Sequence, residues 1–176
     1  MEFTELIEVR RSCRHYAAEP VSHEVIEQIV RQAQMAPSWR NLQCAKSYVI
    51  ESPEFLEEFR KKALPEGNAK NAENAVLIVT TFVRGQEGYW DGKPANELGD
   101  KWGAYDLGLH DAYLILAAQD AGLSSLIMGI RHSDVIREEL NIPEDEDIVS
   151  VIAVGKRADE AVLRPRKPLE ETVKFF

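Results

Sequence analysis

Basic side chains are concentrated near the start of the chain in the stretch RRSCRHY, which contains Arg10, Arg11, Ser12 and Arg14. A second basic cluster follows much later and consists of Lys156, Arg157, Arg164, Arg166 and Lys167. Arginine and serine donate hydrogen bonds that suit the several oxygens of a phosphate group. The two clusters therefore predict a shared site for one dianion, provided that the fold brings them together.

A simpler alternative stays open on spacing alone. The arginines of the first cluster would also be accommodated at the end of a short helix, beside its negative pole or beside surface acids. Such contacts are favourable by roughly 0.3 to 1 kcal/mol. The residue types do not decide between these two interpretations.

Other side chains offer little further chemistry. No spacing among the four histidines would place them on one metal ion. Cys13 lies among arginines that would lower the pKa of its thiol, but no histidine base is identifiable for it. The acidic runs at residues 57–58 and 144–147 are typical of solvated surface. We therefore expect no metal site and no catalytic side chain.

Length and composition indicate one domain in a reducing compartment. The chain has 176 residues, a formal net charge of -9 and 44% hydrophobic residues. The acidic balance argues against nucleic-acid binding, which needs a basic face. Only Cys13 and Cys44 occur, without the density of a disulfide scaffold. The start MEFTELIEVRRS lacks the basic end of a signal peptide, and no apolar run predicts a membrane span, so we expect a cytoplasmic protein.

Helix signals recur along the chain. Apolar positions repeat at helical spacing from about residue 102 to 121, which predicts a core helix that ends at Gly122. Four hydroxyl side chains precede or begin shorter helical patterns and are predicted as N-caps: Thr4, Ser22, Ser52 and Ser133.

Strand signals alternate with these helices. Residues 46–50, 75–83, 124–130 and 147–155 read as strands, and 75–83 is apolar enough to be a central strand covered on both sides. A loop with four glycines follows at residues 84–100, and loops of this length are usually functional or mobile. No glycine-rich turn follows the first strand, so a Rossmann fold is disfavoured.

Several motifs together resemble the nitroreductase family of flavoproteins. RRSCRHY is followed by APSWRNLQ, and later by LAAQDAGL, SSLIMGI, VIAVGKRAD and RPRKPL, in that family's order and over nearly the whole chain. The resemblance implies an α+β fold with a mixed, largely antiparallel sheet flanked by helices. It also implies a single FMN-binding domain over residues 1–176, in an intertwined homodimer whose C-terminal extension, residues 156–176, embraces the partner subunit.

The resemblance assigns cofactor-binding roles to particular positions. Arg10 and Ser12 would hold the FMN phosphate, and Arg11 between them is also expected to bind the cofactor. Arg164 and Arg166 would reach the phosphate from the tail. Arg14 would lie near flavin N1 and the C2 carbonyl, where a cation favours the reduced ring. Pro37, Ser38 and Asn41 would contact the partner's flavin. Asn68 and Asn71 would contact the pyrimidine edge, and the backbone of Met128 and Gly129 would approach N5.

Departures from the family pattern leave the shape of the acceptor open. Trp39 and Arg40 stand where small residues are usual, and Cys44 and Ala45 replace a Pro-Trp pair. Trp39, Trp90 and Trp102 would either frame a pocket over the flavin or simply pack in the core.

The expected activity is an FMN-dependent oxidoreductase in which NAD(P)H gives hydride to flavin N5 and a nitroaromatic, quinone or similar small molecule accepts it. The alternatives are a specialised reductive dehalogenase, a flavin-consuming relative, or a non-catalytic flavin-binding redox module.

Overall fold

The structure, a computed structural model, describes residues 2–176. The helices in this part of the chain are α1 (Phe3–Val9), α2 (His23–Ala33), α3 (Pro53–Ala63), α4 (Glu66–Asn71), α5 (Lys101–Asp120), α6 (Ser133–Leu140) and α7 (Leu169–Thr172). The strands are β1 (Ala45–Ile50), β2 (Val76–Val83), β3 (Tyr89–Trp90), β4 (Lys93–Pro94), β5 (Ser124–Met128) and β6 (Glu146–Gly155). A single 3-10 turn, Trp39–Asn41, separates α2 from β1.

One antiparallel sheet organises the molecule. Its strand order is β1-β2-β6-β5, and β3 and β4 form a separate small hairpin. Every pair of neighbouring strands is antiparallel, and an isolated bridge between Ser12 and Ser125 adds a parallel contact at the β5 edge. The expectation of an α+β fold with a largely antiparallel sheet flanked by helices is confirmed.

Both faces of the two central strands are covered. The first seven residues of β2 are buried. Leu77 lies in the same buried cluster as Phe59 of α3, on one face of the sheet. Ile78 lies with Ile29 of α2 and Leu114 of α5 on the other face. Because successive strand residues point to opposite faces, a strand covered on both sides is apolar at most positions, as the sequence of β2 indicated. The two buried threonines of β2 donate hydrogen bonds to acidic side chains.

Helix ends follow the sequence signals only in part. The Ser22 hydroxyl accepts a hydrogen bond from the Val25 N–H at 3.4 Å, which confirms this N-cap. Ser52 occupies the cap position of α3 but makes no capping hydrogen bond there. Thr4 and Ser133 are wrong as caps because α1 begins at Phe3 and α6 begins at Ser133 itself. In residues 2–176, no helix has both the length and the apolar character needed to cross a membrane.

The loop from residue 84 to 100 folds over itself instead of extending from the sheet. The Ala95 N–H donates to the Gly88 carbonyl at 2.8 Å, next to the β3–β4 hairpin. Gly88 has a φ of +79°, and a Cβ built there would lie 2.3 Å from the carbonyl oxygen of Gly99. This close approach of two backbone segments requires glycine at position 88.

We predict that Gly88→Ala destabilises the protein more than Gly92→Ala. Gly92 lies in the same loop with a φ of +74°, but a Cβ built there would meet nothing within 4 Å. The control, Gly92→Ala, should therefore lose only the free energy of placing alanine in a left-handed backbone, about 1–2 kcal/mol. Gly88→Ala should lose more, because its Cβ also forces the two backbone segments apart. Urea unfolding of both variants measures the difference, and equal losses would contradict the proposed close approach.

Candidate functional site

Both basic clusters contribute arginines to one cavity. Its volume is about 250 Å³, and its walls include Arg10, Arg11, Arg14, Arg157, Arg164 and Arg166, which together define the arginine cavity. Ser12 also lines it. The structure thus brings together residues from the two ends of the chain, as the prediction of a shared anion site requires. Arg157 of the second cluster is part of the same wall, whereas Lys156 and Lys167 of that cluster do not line the cavity.

Backbone pairing positions the N-terminal arginines. Cys13 N–H donates to the Ser125 carbonyl of β5, and Ala17 N–H donates to the Lys156 carbonyl just beyond β6, both at 2.9 Å. The stretch RRSCRHY is therefore held against the sheet in an extended form. Cys13 is fully buried and Tyr16 is almost so, whereas Ser12 and Arg14 stay exposed. The apolar side chains anchor the segment and leave its polar ones available.

The arginines outnumber the acids that could neutralise them. Arg157 Nη1 lies 3.6 Å from an oxygen of Asp159, and none of the other five arginines forms an ion pair within residues 2–176. Partial burial and the charges of Arg166 and Arg11 lower the pKa of Arg10. These groups repel one another, and a dianion between them would replace that repulsion with charge-assisted hydrogen bonds.

The helix-end alternative accounts for only part of these arginines. Arg10 caps the C-terminal end of α1 and its carbonyl accepts from the Arg11 guanidinium at 2.7 Å, but Arg14 lies beyond the helix end. Surface acids are not ion-paired with Arg10, Arg11 or Arg14 anywhere in the described chain. An anion site accounts for the cluster better.

A second group of predicted residues gathers at the end of β5. Asn68 of α4 donates its side-chain amide to the Ile130 carbonyl at 2.8 Å. Gly129 is exposed directly after the buried Met128, and its carbonyl accepts from Arg131 at 2.6 Å. Asn71 lies one turn after Asn68 and is half-buried. Residues expected at the pyrimidine edge and at N5 therefore lie on adjoining segments.

The third group lies elsewhere in the same chain. Pro37 and Ser38 line a different cavity of about 380 Å³, and no member of the arginine cavity is among its walls. Asn41, in the adjoining 3-10 turn, is exposed. This separation is compatible with the expectation that these residues serve the flavin of the partner subunit.

The segment from residue 38 to 44, here called the 38–44 turn, is strained. Arg40, Asn41 and Gln43 all have left-handed φ angles, of 50°, 59° and 54°. Non-glycine residues in this region cost of order 1 kcal/mol or more each and persist only where surrounding contacts hold them. One such contact is internal, because the Ser38 hydroxyl accepts from the Gln43 N–H at 3.0 Å.

Two buried acids, which the sequence analysis did not single out, also hold this turn. Asp106 of α5 accepts from the Trp39 N–H at 2.5 Å, and Glu87 accepts from the Cys44 N–H at 3.3 Å. Burial is the main cause that raises the pKa of Glu87 to about 7. A single glutamate in a polar loop gives no periodic signal, so the sequence offered no means of finding it.

The tryptophans divide between packing and exposure. Trp39 and Trp102 meet edge to face with ring centroids 5.1 Å apart, and the Trp39 indole N–H donates to the Tyr89 carbonyl at 3.1 Å. Trp90 instead lies under the Arg40 guanidinium, 4.5 Å from its ring centroid. Trp39 and Trp102 therefore pack together, and Trp90 is the one that remains largely exposed.

The thiol of Cys13 is unsuited to covalent chemistry. It is completely buried and donates to the His15 carbonyl at 3.1 Å. Burial raises its pKa, although the charge of Arg157 opposes this shift. The expectation that nearby arginines would lower this pKa is wrong, because desolvation of the thiolate outweighs their attraction.

Comparison with known proteins identifies the family to which this arrangement belongs. The model of the nitroreductase family matches residues 7–156, which include the RRSCRHY stretch, the 38–44 turn and all four strands of the sheet. The chain belongs to the nitroreductase family. The resemblance inferred from sequence motifs is confirmed.

Individual relatives of this nitroreductase-family chain are distant but extensive. A protein of Archaeoglobus fulgidus named NADH dehydrogenase/NAD(P)H nitroreductase is 28% identical, over 90% of this chain and 87% of its own. The FMN reductase [NAD(P)H] of Bacillus subtilis is 27% identical, over 91% of this chain and 68% of its own. A structure from Exiguobacterium sibiricum, described as a nitroreductase in complex with FMN, superposes with a TM-score of 0.86 at 23% identity, over 100% of this chain and 98% of its own.

We predict that inorganic phosphate stabilises the flavin-free protein through the arginine cavity. At a phosphate concentration ten times the dissociation constant, the gain in unfolding free energy is about 1.4 kcal/mol. Arg166→Ala should lose most of this gain. Arg31→Ala is the control because Arg31 pairs with Glu27 on the exposed face of α2, outside the cavity. Thermal unfolding with and without phosphate checks this, and an equal gain in both variants would place the anion elsewhere.

Proposed function

We propose that the protein is an FMN-dependent NAD(P)H oxidoreductase that delivers hydride to a nitroaromatic, quinone or similar small acceptor. The observation that carries the proposal is the arginine cavity, in which the two ends of the chain present six arginines around one volume of about 250 Å³. FMN ends in a single phosphate that suits such a cluster, and no adenine-binding motif is apparent. The names of the relatives support the same cofactor and donor.

The arginine cavity would bind the phosphate of FMN. Arg10, Arg11, Ser12, Arg164 and Arg166 keep their predicted roles there, and Arg157 joins them. Arg157 is fixed for this purpose because it donates to the Ser124 hydroxyl at 3.2 Å and to the Arg11 carbonyl at 3.1 Å. A cation already held by these hydrogen bonds and by its ion pair with Asp159 loses little side-chain freedom when an anion arrives.

The flavin ring would extend from the phosphate toward the end of β5. Asn68 and Asn71 would contact its pyrimidine edge, and the backbone at Met128 and Gly129 would approach N5. When bound, FMN supplies the chemistry by accepting hydride at N5 from NAD(P)H and donating it to the acceptor. The chain's own tasks are to bind and orient the ring, to admit donor and acceptor in turn, and to place charge beside it.

Arg14 would place that charge. It is exposed, lines the arginine cavity and has no carboxylate partner within the described residues. A fixed cation near N1 stabilises the negative charge that collects on the ring when it is reduced. No side chain needs to act as an acid or base in the hydride step.

We further propose that two chains form an intertwined homodimer. An apolar cavity of about 630 Å³ lies between α1, α2 and α5, where Phe3, Met35 and Tyr113 are exposed. The C-terminal segment exposes Leu169 and Phe175 as well. A partner subunit would cover these surfaces, accept the extension formed by residues 156–176, and receive Pro37, Ser38 and Asn41 at its flavin. We place the reaction in the cytoplasm, where the free thiols of Cys13 and Cys44 stay reduced.

The purified protein should be yellow and should release FMN, not FAD, on denaturation. Absorption spectroscopy and chromatography of the released flavin test the cofactor, and NAD(P)H oxidation with a panel of acceptors tests the activity. A colourless protein that takes up no added FMN would overturn the assignment. Rapid reduction of the flavin without turnover of any acceptor would instead favour a redox-sensing module.

We predict that Arg10→Ala and Arg14→Ala affect the flavin differently. The phosphate keeps its charge when the ring is reduced, so Arg10→Ala should weaken oxidised and reduced FMN about equally and leave the midpoint potential nearly unchanged. Arg14→Ala should weaken the reduced state more and lower the potential; a tenfold difference between the two affinities corresponds to about 1.4 kcal/mol.

Redox titration of each flavin-loaded variant beside the wild type makes this measurement. Arg10→Ala is the matched control, since it removes the same charge from the same short segment. An unchanged potential in Arg14→Ala would show that Arg14 is not the partner of N1.

We predict that removal of residues 168–176 weakens both dimerisation and FMN binding. The deletion takes away exposed apolar side chains, among them Leu169, Val173 and Phe175, while Arg164 and Arg166 stay in the chain. Sedimentation at several concentrations would show a shift toward monomer, and FMN fluorescence would show a weaker complex. A full-length protein that sediments as a flavin-loaded monomer would refute the shared site.

A further inference from the structure

The 38–44 turn is clamped at both ends by carboxyl groups from other parts of the fold. Asp106 of α5 accepts from Trp39 N–H near the start of the turn, and Glu87 of the 84–100 loop accepts from Cys44 N–H at its end. Between these anchors lie Arg40, Asn41 and Gln43, whose left-handed backbone needs external support. The conformation of the turn therefore depends on these two acids.

The same two carboxyl groups are buried beside one cavity. Glu87 is 1% exposed and Asp106 is 6% exposed, and both line the cavity of about 380 Å³. The charge of Asp106 contributes, after burial, to the raised pKa of Glu87. Glu87 Oε1 is used by Cys44, whereas Oε2 is buried and has no hydrogen-bond partner among the described residues. Ionised carboxylates only accept hydrogen bonds, so two of them cannot satisfy each other unless a proton lies between them.

Neighbouring groups in the described chain offer no positive charge that pairs with the two acids. Burial raises the pKa of the Cys44 thiol, so this group stays neutral. Lys46 and His110 line the adjacent cavity, but Lys46 is exposed and His110 Nδ1 lies 3.2 Å from an Asp111 oxygen. Asp100 accepts from the Gly85 N–H in the same loop. No cation in residues 2–176 forms an ion pair with Glu87 or Asp106.

We propose that Glu87 and Asp106 share one proton and act as positioning residues that hold the 38–44 turn in its native form. Loss of the proton leaves two buried negative charges in contact, which separates the loop from α5 and releases the turn. If the turn contacts the partner's flavin through Ser38 and Asn41, as the proposed function requires, FMN binding weakens at the same time.

The direction of the pH dependence follows from burial. Desolvation and the neighbouring Asp106 raise the pKa of Glu87 to about 7, above that of an unfolded glutamate. An acid with a raised pKa stabilises the folded state fully at low pH and loses this contribution as the pH rises through its folded value. The turn should therefore be fixed at pH 6 and loosened at pH 8.5.

The test uses Glu87→Gln in the full-length protein. Glutamine keeps an oxygen for Cys44 N–H and gains an N–H for Asp106, so it imitates the protonated pair at every pH. Glu97→Gln is the control because Glu97 is an exposed acid of the same loop. Hydrogen exchange of the peptide that spans residues 38–44, measured at about pH 6 and pH 8.5, reports the turn without requiring bound flavin.

At about pH 6, wild type and Glu87→Gln should exchange at the same rate. At about pH 8.5, the wild-type turn should exchange about tenfold faster than that of Glu87→Gln, because each pH unit above the pKa weakens the clamp by up to about tenfold. The Glu97 variant should follow the wild type. Comparison at equal pH cancels the intrinsic pH dependence of exchange. If Glu87→Gln exchanges as the wild type does at both values, the proposal is wrong.

Infrared spectroscopy of the wild type tests the shared proton even if Glu87→Gln fails to fold. The spectra must show a protonated carboxyl band that disappears between about pH 6 and 8.5. Absence of this band would overturn the shared proton. The FMN dissociation constants of wild type and Glu87→Gln, compared at each pH, test the link to the flavin. A turn that loosens as expected in a protein that never binds FMN would refute the proposed function and leave the carboxyl pair intact.

Discussion

The backbone pairing of residues 12–17 with the strand ends of the sheet is the interaction on which the rest of the site depends. Hydrogen bonds from Cys13 to Ser125 and from Ala17 to Lys156 bring the beginning and the end of the chain to the same edge. They force arginines from both segments into one small volume, where each disfavours the charge of the others. Burial of Cys13 and Tyr16 beneath the same segment supplies apolar stabilisation that offsets this repulsion. The fold therefore maintains a concentration of positive charge that only an anion relieves.

Much of this arrangement is predictable because its causes are local or periodic. The nearly continuous apolar run of β2, the helical repeat of α5 and the position of Gly122 after it follow directly from residue spacing. The two basic clusters are equally visible, although their meeting required either the structure or a resemblance to a known family. The caps show the limit of local reasoning: Ser22 makes its predicted bond, but Thr4 and Ser133 lie within the first turn of their helices. A hydroxyl near a helix start does not by itself identify which residue is first.

The features that escaped prediction are those decided by contacts between distant parts of the chain. The sequence of α4, EGNAKN, includes glycine and two asparagines, which are weak helix formers, and the helix is short enough to depend on tertiary packing. The hydrogen bonds that fix Arg157, to Ser124 and to Arg11, likewise join distant parts of the chain. The contact between Glu87 and Asp106 joins a loop to a helix, and neither residue stands in a pattern that would reveal it. Left-handed backbone at Arg40 is likewise invisible, because arginine has no preference for it.

The two clusters of like charge in this chain differ in what can compensate them. The arginines of the cavity remain cationic at any ordinary pH, since a guanidinium does not give up its proton in proteins, so their repulsion must be met by an anion from outside. The buried carboxyl pair is of the opposite kind, because an acid can take a proton and remove its own charge. Since the whole chain carries a formal charge of -9, long-range attraction of anions is weak, and a bare phosphate gains only the local contacts. A ligand whose phosphate is attached to a ring would gain the contacts of the arginine cavity and also contacts of the ring near Asn68 and Gly129. Because the net charge opposes both kinds of anion alike, discrimination between them would come from what is attached to the phosphate.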